Sequence, residues 1–265
     1  FKNEYTSSAT MVNMILTVED FQIIVIKMGM FSRYTYNDFE RAFRVDLKVK
    51  NIRSGTKSFS TYDTTLTTTA GLQYESSFYG TFTSGDIAGG STKEGYLLFD
   101  DVPETAKIAK LTIGKIYIFD LEKGETYTLI EMYENRYLQS AITVQQTITK
   151  GHFSITLVRV GHFTHLEYDT WGEEVAEFRV DLKVTNIASE PEYIFQSDIV
   201  ILDNLGNQYN YEYGGTLELG EIYPGVTREG YVLFPALNEN ANRITVTITD
   251  TEYPEDIVYE FTVNL

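Results

Sequence analysis

Residues 43–49, FRVDLKV, alternate strictly: Phe43, Val45, Leu47 and Val49 are apolar, while Arg44, Asp46 and Lys48 between them are charged. A period of two sends successive side chains to opposite faces of a strand, so the first set points inward and the second outward. A helix would scatter both sets around its surface. Similar short runs at 9–18, 20–28, 58–69, 72–82, 94–99, 107–119 and 126–132 predict further strands. About eight strands at this spacing are what a sandwich of two antiparallel sheets needs. Turn signals separate them at Ser54-Gly55, Ala70-Gly71, Gly89-Gly90 and Lys123-Gly124. No stretch reads as a convincing amphipathic helix.

The pattern is used twice. FRVDLKVKNI at 43–52 returns as FRVDLKVTNI at 178–187, an offset of 135. At that offset Gly71, Tyr74 and EGYLLF (94–99) meet Gly206, Tyr209 and EGYVLF (229–234). Nearer the start the offset is 132, pairing Tyr5 with Tyr137, Ser8-Ala9 with Ser140-Ala141, and Phe21, Gly29 and Phe31 with Phe153, Gly161 and Phe163. An insertion between 164 and 177 in the second copy accounts for the change. The chain is therefore expected to be all-β, with two tandem immunoglobulin-like β-sandwich domains at 1–132 and 133–265 and no Gly/Ser/Pro linker between them.

Composition agrees with strands, since Tyr (20) and Phe (16) are abundant and Pro (5) is scarce. Cysteine is absent, which excludes disulfides and thiolate metal sites. The net charge of −17 argues against nucleic-acid binding, which needs clustered Lys and Arg. That charge is unevenly held, with −3 on residues 1–132 and −14 on residues 133–265. No run is long and apolar enough to span a bilayer. The chain opens at Phe1 rather than Met, so an N-terminal signal or anchor is expected to lie outside it.

An alternating VDLKV strand followed by Asn, a D-x-x-L-x-(D/N)-x-x-G-x-x-Y hairpin and a G-E-x-x-P-G-x-x-x-x-G-Y-x-x-F segment together resemble the telokin-like, immunoglobulin-type domains of bacterial and archaeal surface proteins. The second copy carries the pattern more fully, through Asp198, Leu202, Asp203, Gly206, Tyr209, Gly220-Glu221, Pro224-Gly225, Gly230-Tyr231 and Phe234. The first copy departs from it at Thr67-Thr68 and Gly89-Gly90. The resemblance implies the fold and an extracellular or cell-surface setting. It offers no catalytic residue, and the chain is expected not to be an enzyme.

Candidate chemistry is sparse. The three histidines, His152, His162 and His165, all lie in the second copy. His162 and His165 have opposite parity on a strand, which separates them as metal ligands. Asp203, Asn204 and Asn207 cluster on a hairpin tip that could offer oxygen ligands to calcium, but it lacks the spacing of an EF-hand and an Asx turn explains these residues with no ion. No Gly-x-Ser-x-Gly elbow or phosphate-cradling loop is present. No cofactor and no metal is expected.

Two features suggest binding. The aromatic loops at 33–39 and 165–171 hold Tyr34, Tyr36 and Phe39, and Tyr168 and Trp171. They can cap the open end of a core or form a platform for a glycan or a protein. In the strand at 21–28, Ile24, Ile26 and Met28 stand where the second copy has Thr156, Val158 and Val160, so both faces of that strand read as apolar. A face of this kind is expected to be covered by another domain or subunit. The leading expectation is thus a non-catalytic protein whose partner is another protein or itself, with head-to-tail contacts between unlike domains as one route to a homo-oligomer. An accessory glycan-binding module using the aromatic loops is the rival expectation, and a hydrolase stands well behind both.

Overall fold

The structure is a computed structural model describing residues 4–5, 9–35, 38–166, 174–251 and 255–265. The chain divides into two compact units, Phe1–Met132 and Tyr133–Leu265. Among the described residues the chain is all-β apart from one α-helix, Leu129–Ser140, and a single turn of 3-10 helix at Gln196–Asp198.

In the second unit, strands Ile142–Lys150, Phe153–Leu166, Glu174–Asn186, Thr227–Pro235 and Glu212–Gly215 form a five-stranded antiparallel sheet in that order. The second sheet has the order Gln208–Asn210, Ile199–Asp203, Arg243–Asp250, Ile257–Asn264. Between them lies the core, where Phe178, Val180, Leu182 and Val184 of the repeated strand meet Ile199, Ile201, Ile244, Val246 and Phe261.

The first unit uses the same elements with one difference. Strands Thr10–Thr17, Phe21–Thr35, Asp38–Asn51 and Thr92–Phe99 form one face of the sandwich. Thr65–Thr68, Ile108–Ile113, Tyr117–Asp120 and Glu125–Thr128 form the other. Strand Gln73–Ser77 pairs with both, through Ser76 opposite Phe99 and Glu75 opposite Thr65, and so joins the two sheets along one edge. The second unit splits the matching segment into Gln208–Asn210 and Glu212–Gly215, one for each sheet. Phe43, Val45, Leu47 and Val49 are buried in the first core.

Each repeated strand ends on a buried asparagine that ties a small two-stranded sheet to the sandwich. Asn51 donates from Nδ2 to the carbonyls of Gly55 (2.7 Å) and Ile87 (2.8 Å), and its Oδ1 accepts from the Arg53 amide. Asn186 repeats this with Glu190 (2.8 Å), Ile222 (2.7 Å) and the Ala188 amide. An amide can serve two acceptors and a donor at once, which explains the Asn after VDLKV in both copies.

Two features depart from the sequence reading. Residues 126–132 are not one strand, because the chain turns helical after Thr128. Thr128 and Glu131 form a reciprocal cap: the Glu131 amide donates to Thr128 Oγ1 (3.1 Å) while Glu131 Oε2 accepts from the Thr128 amide (2.6 Å). Tyr133 and Tyr137, one turn apart, are the buried face of this helix. The second departure is a bulge between Val25 and Lys27, matched by one between Leu157 and Arg159. The extra residue reverses the parity of the strand beyond it. Ile24 and Ile26 therefore face outward and are half-buried, whereas Met28 turns into the core of its own unit and does not share their face.

Candidate functional site

The bulges have a chemical consequence, since they turn a cation, Lys27 or Arg159, onto the outer face of each larger sheet. There it meets the charged residues of the alternating strand. In the second unit Arg179 Nε donates to Asp181 Oδ1 (2.6 Å) and a terminal nitrogen to Glu134 Oε1 (2.7 Å), while Arg159 Nε lies 3.5 Å from Asp181 Oδ2. The Arg179 guanidinium also sits over three rings, 3.7 Å from the centroid of Tyr231, 4.2 Å from Tyr137 and 5.0 Å from Phe163. The first unit builds the same cluster from the aligned residues: Arg44 donates to Asp46 (2.7 Å) and covers Tyr96 (3.9 Å), Phe31 (4.8 Å) and Tyr5 (4.9 Å). Lys27 Nζ stands 4.3 Å from the Tyr5 ring.

What covers each cluster is the segment leading into its unit. In the first unit this segment is a short strand, Glu4–Tyr5, paired with Ser32 and Phe31. In the second it is the helix. The chain crosses the sheet at a glycine in both cases, and a Cβ on Gly161 would come within 3.0 Å of the Ala141 backbone. The helix covers more, so the Arg179 side chain is only 8% exposed against 22% for Arg44.

Burial dominates the electrostatics of the cluster. It pushes the Tyr137 and Tyr5 phenols well above the ordinary tyrosine range, with the neighbouring charges of Asp181 and Asp46 acting in the same direction. The Tyr133 phenol, buried and donating to Glu174 at 2.8 Å, is pushed up to about 12. Burial also raises the Asp181 carboxyl, against the pull of the two arginines. For Arg179 burial acts downward, but the hydrogen bonds and charges of Asp181 and Glu134 outweigh it and hold the guanidinium charged. A shallow cavity of about 400 Å³ opens beside this cluster, lined among others by Glu134, Arg159, Arg179, Glu229 and Tyr231. Most of its charges are paired, since Arg179 serves two carboxylates and Lys183 serves Glu229 at 2.7 Å, while Arg159 Nε has no hydrogen-bond partner of its own. Such a cluster fastens a segment to a sheet, and each cation over a ring contributes on the order of 0.5–2 kcal/mol to that.

The outer face differs between the units one step further along the same strands. Ile15 lies opposite Ile24 in the first unit, and Thr147 lies opposite Thr156 in the second, with their hydroxyls 2.8 Å apart. Met11 and Ile15 are 57% and 52% exposed. Their counterparts are Thr143 and Thr147. Next to these positions the two units agree again, as Lys48–Glu94 and Lys183–Glu229 are the same cross-strand ion pair at 2.7 Å.

The other residues singled out from sequence are dispersed. Tyr34 and Phe39 are register partners in the pairing of Phe21–Thr35 with Asp38–Asn51, while Tyr36, Tyr168 and Trp171 lie outside the described residues. His162 packs edge-on against Phe178, whereas His165 stacks on Phe163 and bonds Glu177. His152 lies 3.4 Å from Glu192. Among the described residues no group of three or more His, Asp or Glu is arranged to hold a metal. Asp203 accepts four hydrogen bonds, at Oδ1 from the Leu205 and Asn207 amides and at Oδ2 from Asn207 Nδ2 and the Tyr209 hydroxyl. That fills the capacity of a carboxylate and accounts for the turn without an ion. Burial alone would raise this group, but the bonds from Asn207, Tyr209 and Leu205 prevail and lower it.

Comparison with known proteins names no role. Residues 8–131 match a family described as "Domain of unknown function (DUF4352)". The match falls on the first unit, although the second carries the fuller set of turn residues. No curated protein matches. Among solved structures, the yjhA protein from Bacillus subtilis is similar at 15% identity and a TM-score of 0.36, over 46% of this chain and 98% of that one. A conserved hypothetical protein from Bacillus anthracis is similar at 15% identity and 0.34, over 47% and 96%. A conserved domain protein from the same organism is similar at 11% and 0.32, over 98% and 93%. None of these descriptions states a function.

Proposed function

We propose that the chain is a non-enzymatic binding protein acting outside the cytoplasm, whose first unit joins a second copy of the chain through the outer face of its larger sheet. The observation that supports this is the apolar set Met11, Ile15, Ile24 and Ile26 on that face, where the second unit keeps Thr143, Thr147, Thr156 and Val158. The second unit builds the same sheet with threonines at three of these four positions, so folding does not require apolar residues at those three. Exposed apolar patches on otherwise polar proteins mark interaction surfaces. A binding role also fits the ionised clusters, whose acids and bases are engaged with one another. The extracytoplasmic setting is supported by the family resemblance of the turn and core motifs.

Sedimentation velocity on the whole chain at micromolar concentration tests the reading. Association is expected for the wild type, and Met11→Thr/Ile15→Thr/Ile24→Thr is expected to abolish it. A wild type that stays monomeric, or a variant that associates equally well, contradicts it.

A further inference from the structure

The small two-stranded sheet of the second unit carries an aromatic platform that the first unit lacks. Tyr193 lies opposite Glu221 in the pairing of Glu192–Ile194 with Gly220–Ile222. Phe195 and Tyr223, each two residues along, share their face, while Ile194 and Ile222 point the other way and are buried. Tyr193, Phe195 and Tyr223 are 56%, 51% and 57% exposed. Tyr193 and Phe195 are stacked, with centroids 6.5 Å apart and planes inclined by 28°. The Tyr193 hydroxyl donates to Glu221 Oε1 at 2.8 Å, which fixes the ring beside a carboxylate.

The first unit is an internal control. It builds the same sheet from Lys57–Phe59 and Gly85–Ile87, with Phe59 and Ile87 buried. The residues aligned with Tyr193, Phe195, Glu221 and Tyr223 are Ser58, Ser60, Asp86 and Ala88. The exposed rings therefore do not serve folding. The charge of the segment that carries the platform also differs: residues 184–227 hold seven carboxylates and no Lys or Arg, whereas the aligned residues 49–92 hold three of each sign. Ring faces attract cations through their quadrupole, and a guanidinium or ammonium passing over Tyr193 also meets Glu221.

We propose that the face formed by Tyr193, Phe195, Tyr223 and Glu221 docks a lysine- or arginine-bearing segment of a protein partner. Charge complementarity selects this occupant, since a neutral glycan would gain nothing from the Glu221 carboxylate held beside the rings. The site lies on different residues from the apolar face of the first unit, so either reading can fail alone.

The test is titration of labelled tetra-arginine and tetralysine peptides into the whole chain, read by fluorescence anisotropy. Binding is expected at low salt and is expected to weaken about tenfold or more near 1 M salt, where the screening length is ~3 Å. Tyr193→Ser/Phe195→Ser/Tyr223→Ala installs the residues that the first unit already uses and changes no charge. It is expected to weaken binding about tenfold, through loss of the ring faces rather than of the general acidic field. Glu221→Gln is expected to weaken it less. Equal binding by the triple variant overturns the proposal, as does a wild type that ignores both peptides. Saturable binding of a neutral oligosaccharide in their place, or self-association that the triple substitution abolishes, assigns the platform to another occupant and overturns it too.

Discussion

The two units share a sandwich, a buried Asn, a bulge and an arginine set among aromatic rings, but they differ in what each shows to solvent and how each fastens its leading segment. Arg44 holds a two-residue strand and remains partly exposed, whereas Arg179 holds a helix, gains a second carboxylate in Glu134 and is nearly enclosed. Duplication thus separates what the fold requires from what each copy has acquired. Residues kept in both copies, such as Asn51 and Asn186, answer to the fold. Those kept in one, such as Ile15 or Tyr193, need another reason.

Arg179→Ala is the harshest way to probe the contrast. It removes the hydrogen-bonded partner of both Asp181 and Glu134, leaving Asp181 only Arg159 at 3.5 Å, and breaking a buried ion pair costs about 3–5 kcal/mol. Arg44→Ala removes a more exposed pair and is expected to cost the first unit about 1–2 kcal/mol, read by denaturant unfolding of the whole chain. Equal losses would mean that the helix does not deepen the cluster. Asn51→Ala and Asn186→Ala each leave buried backbone groups unpaired, at ~1–3 kcal/mol per group, and are expected to cost the same in either unit. Gly161→Val drives a side chain into Ala141 and the Tyr137 ring, for about 1–3 kcal/mol, and is expected to release the helix. Thr128→Ala removes the cap for about 1 kcal/mol and is expected to lower helical circular dichroism before it lowers the strand signal.

The phenols give a gentler probe. Tyr133 has its pKa raised from about 10 to about 12 on folding, so its contribution to stability is complete below pH ~10 and is lost as pH rises through ~12. Tyr5, Tyr137 and Tyr231 are raised as well, so both units are expected to weaken in alkali. Phenolate absorbance rising together with loss of structure is the expected signature, and full tyrosine titration near pH 10 in the folded chain would contradict it.

Much of this was legible in the residues. The alternation in FRVDLKV placed Phe43, Val45, Leu47 and Val49 inside, and the same positions of the second copy are buried too. Pointing outward proved different from being exposed, however. Arg44 and Arg179 leave the core side of the sheet as expected, yet a segment far back in sequence covers them, and strand periodicity carries no information about such a cover. Periodicity hides the helix although Thr128 and Glu131 spell a capping box, because Tyr127 and Leu129 continue a strand-like alternation. The bulge that turns Met28 inward adds one residue without a Gly or Pro to announce it. The aromatic platform is hidden in the sequence because Tyr193 and Phe195 flank Ile194 in an apolar run, and only the register shows that two of the three face solvent.

Hydrogen exchange of the whole chain, read peptide by peptide for Asn51→Ala and Asn186→Ala, tests most directly whether two separate cores carry these two surfaces. Asn51→Ala is expected to speed exchange in strands between Thr10 and Thr128 and leave those from Ile142 onward protected as in the wild type, with Asn186→Ala doing the reverse. Loss of protection across both units from either single substitution would contradict the account.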